Sequence, residues 1–193
     1  MKRYVVNFLL GGLLLAGCCT KSPAPRPVFN SGPVIVIDPT RLWVDTGVDL
    51  VSNRVYHLVA TTALDQNGRP YTDKGINAEA DGVHGMLGGL FNWMARDPFW
   101  TSHPNKRLRV LTDRDGREPR FLTLMGVIGD RPAEHELDGF AFTIGSSLTL
   151  TSPATGRLHV FVNDWLDKPD GKGGSNRYGN NRGIIILQVR QIE

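Results

Sequence analysis

Asp164, Asn180 and Asn181 are the residues whose types and spacing can do chemistry. They bracket a Gly-rich loop. Val162-Asn163-Asp164 leads in, and Tyr178-Gly179-Asn180-Asn181-Arg182-Gly183 leads out. Asp164 offers one or two oxygens, and the two asparagines offer one each. Loop carbonyls add more, because glycine lets the backbone turn toward a bound ion. Ca²⁺ takes roughly six to eight oxygens from carboxylates, amides and backbone carbonyls. The set here would leave coordination positions open, and two adjacent sugar hydroxyls can fill them. The same run also reads as a polar Asx-turn loop that binds nothing. The residues alone do not choose between the two.

Other chemistry is harder to find. The chain has no Gly-x-Ser-x-Gly elbow, phosphate loop or dinucleotide fingerprint. His135-Glu136 starts like a zinc helix, but no His follows four residues on. His57 and His159 fall inside strand candidates and read as sheet residues. Asp113-Arg114-Asp115-Gly116 resembles a calcium loop only at its start, because Leu124 stands where an EF-hand needs its bidentate Glu. It reads as a turn. No nucleophile–base pair or paired acids stand out, so a binding protein is expected rather than an enzyme.

The elements that must position these residues are mostly strands. Segments of strand length recur at Val34–Ile37, Val55–Ala60, Leu108–Leu111, Phe121–Ile128, Phe140–Ile144, Leu148–Leu150, Leu158–Val162 and Ile184–Val189. Leu158, Val160 and Val162 alternate, so one face of that strand is buried. Ile184 to Leu187 is continuously apolar, which predicts a strand covered on both faces. Asn67-Gly68, Asp81-Gly82, Asp115-Gly116, Asp138-Gly139 and Asp170-Gly171 supply turns. The pattern predicts an all-β sandwich. One segment departs from it. Gly85 to Arg96 places Met86, Leu87, Leu90, Phe91 and Met94 on one helical face, and Asp97-Pro98 stops it. Gly88 and Gly89 each cost such a helix about 1 kcal/mol. The helix either lies over one end of the sandwich or, with Trp93, Phe99 and Trp100, meets a partner or membrane.

Composition sets the frame around this domain. The 193 residues are 40% hydrophobic, 21% charged and 8% aromatic, an ordinary globular mixture. The formal charge is +3. Removing Lys2 and Arg3 from the 22 basic residues leaves 20 against 19 acidic ones, close to +1. That is no footprint for nucleic acid. Residues 1–17 have the layout of an export signal: a positive start, an apolar run from Tyr4 to Ala16, then small residues. Leu15-Ala16-Gly17-Cys18 resembles the lipobox of bacterial lipoproteins. The resemblance implies that Cys18 is acylated and becomes the N-terminus. Cys19 is the only other cysteine, so the rest of the chain carries neither a disulfide nor a cysteine-based zinc site. Residues 18–33, with four prolines, read as an extended tether. The folded domain is expected over 34–193. A lipid anchor would place it in the bacterial envelope, on the outer membrane facing the periplasm or at the cell surface.

The C-terminal run also resembles the signature of the calcium-dependent galactophilic bacterial lectin family, PA-I type. Further pieces follow in order. Trp43-Val44-Asp45-Thr46-Gly47-Val48 resembles the family's opening strand, and Val55 to Ala60 its next. Leu124-Met125-Gly126-Val127-Ile128-Gly129 is similar to the central strand, and Phe142-Thr143-Ile144-Gly145 to the following element. Ser152 to Leu158 resembles the approach to the Asn-Asp strand. The resemblance implies a jelly-roll-like β-sandwich in which one Ca²⁺ bridges protein and galactose. It implies metal roles for Asp164, Asn180, Asn181 and the Arg177 carbonyl. A further carbonyl is expected from the loop after Ala60, within Asp65–Gly68. Asp164 and Asn180 would also touch sugar hydroxyls. His103-Pro104 matches a His-Pro pair whose His contacts the sugar, and Lys106 falls where the family has a neutral Gln.

Several features depart from the family. The loop from Trp165 through Asn176 is longer than the lectin's, and the Gly85–Arg96 insert has no counterpart there. Asp164 is the only carboxylate in the matched set. One anionic ligand predicts weak affinity, on the order of 10⁻⁴–10⁻³ M, as in extracellular modules. Asp167 or Asp170 would strengthen it. Two functions follow as expectations. One is a lipid-anchored module binding a carbohydrate or glycoconjugate through calcium. The other is an envelope lipoprotein that binds a protein partner, such as a secreted protein, through the 85–96 helix and the 165–176 loop.

Overall fold

Side-chain alternation decides how the first strand sits. In the computed structural model, which describes residues 32–64, 72–73, 76–96, 107–133, 136–166 and 177–192, β1 (Val34–Ile37) buries Ile35 and Ile37 and exposes Val34 and Val36. There follow β2 (Val44–Leu50), β3 (Val55–Ala63), and the short β4 (Thr72–Asp73) and β5 (Ile76–Asn77). A helix, α1 (Gly85–Arg96), precedes β6 (Arg107–Leu108) and β7 (Leu124–Ile128). The chain continues through β8 (Phe142–Thr143), β9 (Ser147–Thr151), β10 (Gly156–Val162), β11 (Trp165–Leu166), β12 (Asn181–Arg182) and β13 (Ile184–Ile192).

Two four-stranded antiparallel sheets form the body, in the orders β1-β13-β3-β9 and β2-β10-β7-β8. Their inner faces share one core. Ile35, Leu58, Ile185 and Leu187 come from the first sheet, and Leu124, Phe142, Leu158 and Val160 from the second. This is the all-β sandwich with one short helix that the strand spacing calls for. Gly126 leaves room for its cross-strand neighbour within the second sheet: a Cβ there would stand 2.6 Å from the Phe142 ring.

The second sheet is covered on its outer face as well. Met125, Val127 and Phe161 point away from the main core, under Val110, Leu137, Ala141 and Trp43. Hence β7 is the strand buried on both faces, rather than β13. In β13, Ile184 is 38% exposed and Ile186 half-buried. The covering segments are held by polar clamps. Asn163 is fully buried; its Oδ1 accepts from Val110 N at 2.8 Å, and its Nδ2 donates to the Val110 and Arg120 carbonyls. The Asp113 carboxylate accepts from Asp115 N, Arg117 N, Thr143 N and Thr143 Oγ1. It is a structural turn, as the sequence indicates.

Three strand expectations are trimmed for the same reason. Strand pairing covers Arg107–Leu108, Leu124–Ile128 and Phe142–Thr143, with Thr123 in an isolated bridge to Asp81, while apolar residues around them pack from turns. Leu122 is one of these, buried at a φ of 64°.

The helix has the expected bounds but a different buried face. Phe91 stacks on Phe121 with ring centroids 5.5 Å apart, and Asn92 Oδ1 accepts from Phe121 N at 2.8 Å. Gly88 is buried against the Val83 carbonyl. Met86, Leu90 and Trp93, at successive turns, are 90%, 48% and 57% exposed. The apolar face expected to be covered is therefore only half covered. Leu87 and residues 97–106 lie outside what is described of side chains. Among the described residues no helix is long and apolar enough to cross a membrane.

Candidate functional site

The end of β10 delivers Asp164. Its backbone N donates to Val162 O at 2.9 Å, and its carbonyl accepts from Arg109 N at 3.1 Å. Carboxylate Oδ1 accepts from Trp165 N at 2.6 Å. A 3-10 turn, Arg177–Asn180, then delivers Asn181 at the start of β12. Tyr178 anchors that turn. It is fully buried and donates through its hydroxyl to the Val162 carbonyl, so the turn is tied to the strand that carries Asp164. Burial pushes the Tyr178 hydroxyl far above its ordinary titration range, and the nearby Arg109 opposes this only in part. It is a neutral donor at all physiological pH.

Asp164 and Asn181 therefore meet. Asn181 Nδ2 donates to Asp164 Oδ2 at 3.0 Å and to the Pro39 carbonyl at 3.0 Å. Both side chains are nearly sealed, at 1% and 3% exposed. Asn181 Oδ1 is buried with no hydrogen-bond partner among the described residues. The neighbouring Asn180 is half-buried, and the Arg177 backbone opens the same turn. Three oxygen-bearing groups, a carboxylate, an amide and a main-chain carbonyl, thus share one spot at the rim of the sandwich.

A cationic wall stands behind them. The Arg109 guanidinium lies 4.2 Å from the Trp43 ring centroid and 4.0 Å from that of Phe161, and donates to the Leu42 carbonyl. Arg109 is fully buried. A planar cation stacked between aromatic faces is stabilised where a lysine would not be.

The donor chemistry fits a hard divalent cation. Every available ligand atom is oxygen, the anionic charge comes from one carboxylate, and one amide oxygen is buried and unsatisfied. Among the described residues no group of three or more His, Cys, Asp or Glu gathers, so an ion here would rest on one carboxylate with amide and carbonyl oxygens.

Of the residues singled out by sequence, Asp164 and Asn181 are brought into contact, and Asn180 and the Arg177 backbone lie in the adjoining turn. His103, Pro104, Lys106, Cys18, the Asp65–Gly68 carbonyls, Asp167 and Asp170 lie outside the described residues. β3 runs on to Ala63, beyond the Ala60 end expected. Trp165 belongs to a short strand and packs on Phe121 at 5.9 Å, so it is core rather than loop. Sequence reasoning missed Pro39 and Arg109. An arginine inside the apolar run Leu108-Arg109-Val110-Leu111 was the signal for the second.

No family model matches the chain, and no curated protein matches it. Among solved structures it is similar to a chain described as "EclA N-terminal domain; PllA-like lectin". The TM-score is 0.47 and the identity 16%, with 82% of this chain and 95% of that chain covered.

Proposed function

We propose that this chain is a lipid-anchored envelope protein whose sandwich binds a carbohydrate or glycoconjugate through calcium. The observation that carries the reading is the meeting of Asp164, the Asn181 amide and the Pro39 carbonyl at one buried spot, with the Asn181 amide oxygen unpaired among the described residues. The resemblance of the Tyr178–Gly183 run to the signature of galactophilic lectins also supports it. Asp164, Asn180, Asn181 and the Arg177 carbonyl would hold the ion. Calcium, when bound, supplies open coordination positions for two vicinal hydroxyls. Asp164 and Asn180 would orient those hydroxyls, with His103, Pro104 and Lys106 at the sugar's edge. The protein performs no bond-making step. Cys18 would carry the lipid, and the 18–33 tether would hold the domain off the outer membrane.

The test is a titration of galactosides and other glycans, with and without EDTA. Asp164→Ala is expected to abolish the calcium-dependent part of the signal. Undiminished binding by that variant sinks the calcium bridge. Cys18→Ser is expected to move the chain from the membrane fraction to the soluble one.

A second reading is favoured by one observation, the exposed stripe of Met86, Leu90 and Trp93 on α1. It is a protein-binding lipoprotein that docks a partner on this helix and the 165–176 loop. Leu90→Ser with Trp93→Ser would then lose the partner while Asp164→Ala keeps it. The opposite pattern favours the lectin-like reading.

A further inference from the structure

The Asn181 amide has two ends, and the fold satisfies only one. Nδ2 is held by two acceptors, Asp164 Oδ2 and the Pro39 carbonyl, each at 3.0 Å. Oδ1 has none among the described residues, although the residue is nearly sealed from water. A buried acceptor left unpaired is a standing destabilisation, and native folds rarely tolerate one without a use for it.

A half-turn about the Cβ–Cγ bond would exchange the two ends. Oδ1 would then face a carboxylate oxygen and a carbonyl oxygen. Three oxygens in that arrangement repel one another unless positive charge lies among them. What stands between Asp164 and Pro39 therefore decides which way the amide points. With no cation, the NH₂ group is the positive end that Asp164 and Pro39 require. With a cation, the oxygen is.

The Pro39 carbonyl is fixed before any ion arrives. The Asp38 carboxylate accepts from Thr40 N at 2.9 Å and Thr40 Oγ1 at 2.6 Å, and Arg41 N donates to Asp38 O at 3.1 Å. This turn, between β1 and β2, presents Pro39 O to the site as a rigid donor. Neither the turn nor its carbonyl belongs to the ligand set that the lectin resemblance implies.

We infer that Asn181 is a reversible internal substitute for the cation: its NH₂ bridges Asp164 and Pro39 in the ion-free protein and turns outward, bringing Oδ1 in, when a hard divalent cation enters with Pro39 O as an added ligand. The inference rests on the calcium reading above. It also gives that site's weakness a second cause, since an entering ion competes with two existing hydrogen bonds.

The experiment uses the full-length ¹⁵N-labelled chain in detergent and calcium chloride alone, without sugar. In EDTA, the Asn181 side-chain NH₂ pair is expected to exchange with solvent at least roughly tenfold more slowly than exposed side-chain amides. Saturating calcium is expected to shift that pair and change its protection. Asn181→Asp places an oxygen where Nδ2 stands. It is expected to lower the melting temperature in EDTA and to enlarge the calcium-induced rise roughly twofold over the parent. A parent that binds calcium, seen as a melting-temperature rise, with an unmoved Asn181 NH₂ pair overturns the switch and leaves the calcium site standing. A parent with no calcium response at all overturns both. The resonance measurement needs no variant, so misfolding of Asn181→Asp does not blunt the test.

Discussion

His159 stands on the outer face of β10, edge-on to the Trp43 ring at 6.4 Å, and its Nδ1 is buried without a hydrogen bond among the described residues. Burial holds its pKa below the ordinary value of 6.5. Arg131 and Arg157 push the same way, and Asp45 and Asp130 oppose them. The unfolded chain therefore takes up this proton first as pH falls. The histidine's contribution to stability is complete above about pH 6.5 and is lost as pH drops through the lower, folded-state value. Denaturant unfolding at about pH 7.5 and about pH 5 is expected to show a smaller loss for His159→Gln than for the parent. Equal losses would mean that the ring's burial is not felt. At this same scale the candidate site was half legible. Asp164 and Asn181 declare their oxygens by residue type, and their flanking glycines mark a loop. The Pro39 carbonyl declares nothing, since every residue carries one, and only the fold selects it. Arg109 was hidden because a lone cation in an apolar run reads as an interruption until Trp43 and Phe161 are seen on either side of it.

Two neighbouring glycines in α1 separate helix propensity from packing. A Cβ at Gly88 would lie 2.2 Å from the Val83 carbonyl oxygen, which is backbone and cannot yield cheaply. A Cβ at Gly89 meets nothing within 4 Å. Gly89→Ala is therefore expected to stabilise the protein by about 1 kcal/mol through propensity alone. Gly88→Ala is expected to destabilise it by about 2 kcal/mol despite the same gain. Urea midpoints of the two variants measure this, and shifts of one sign would refute the close contact. The helix ends were legible because Gly85 and Asp97-Pro98 punctuate them. Its buried face was not, because Met86, Leu90 and Phe91 are alike in hydropathy and only the position of Phe121 chooses among them. β1, β3, β9, β10 and β13 followed from apolar or alternating segments of strand length. β2 did not, with its Asp45, Gly47 and Asp49, and was reached only through the lectin resemblance. The two-residue strands β4, β5, β6, β8, β11 and β12 carry no period to read. Tertiary pairing makes them.

At the scale of the whole molecule, β1 is a sheet edge with apolar side chains exposed among the described residues. β1 pairs with β13 on one side only. Val189 N donates to Pro33 O, so residues 33 and 189 form a hydrogen-bonded pair. Such pairs alternate along an antiparallel ladder. The pairs Ile35–Leu187 and Ile37–Ile185 are then bonded inward, and the N–H and C=O groups of Val34 and Val36 face away from the sheet. Their side chains are 62% and 60% exposed, beside the exposed Ile184 of β13. Natural edges are usually blunted by charge, proline or a bulge. Here the strand is Val-Ile-Val-Ile, with Pro33 before it and Pro39 shortly after as its only stops. Net charge gives little help. Four of the 22 basic residues precede Val34, leaving 18 against 19 acidic from there on, so molecules barely repel. Val36→Lys puts a charge on this edge at a site where the side chain is mostly in water. Its stability is expected to stay within about 0.5 kcal/mol of the parent, while light scattering during heating or concentration should fall. Scattering that matches the parent's would place the association surface elsewhere, on the Met86–Leu90–Trp93 stripe of α1 first of all.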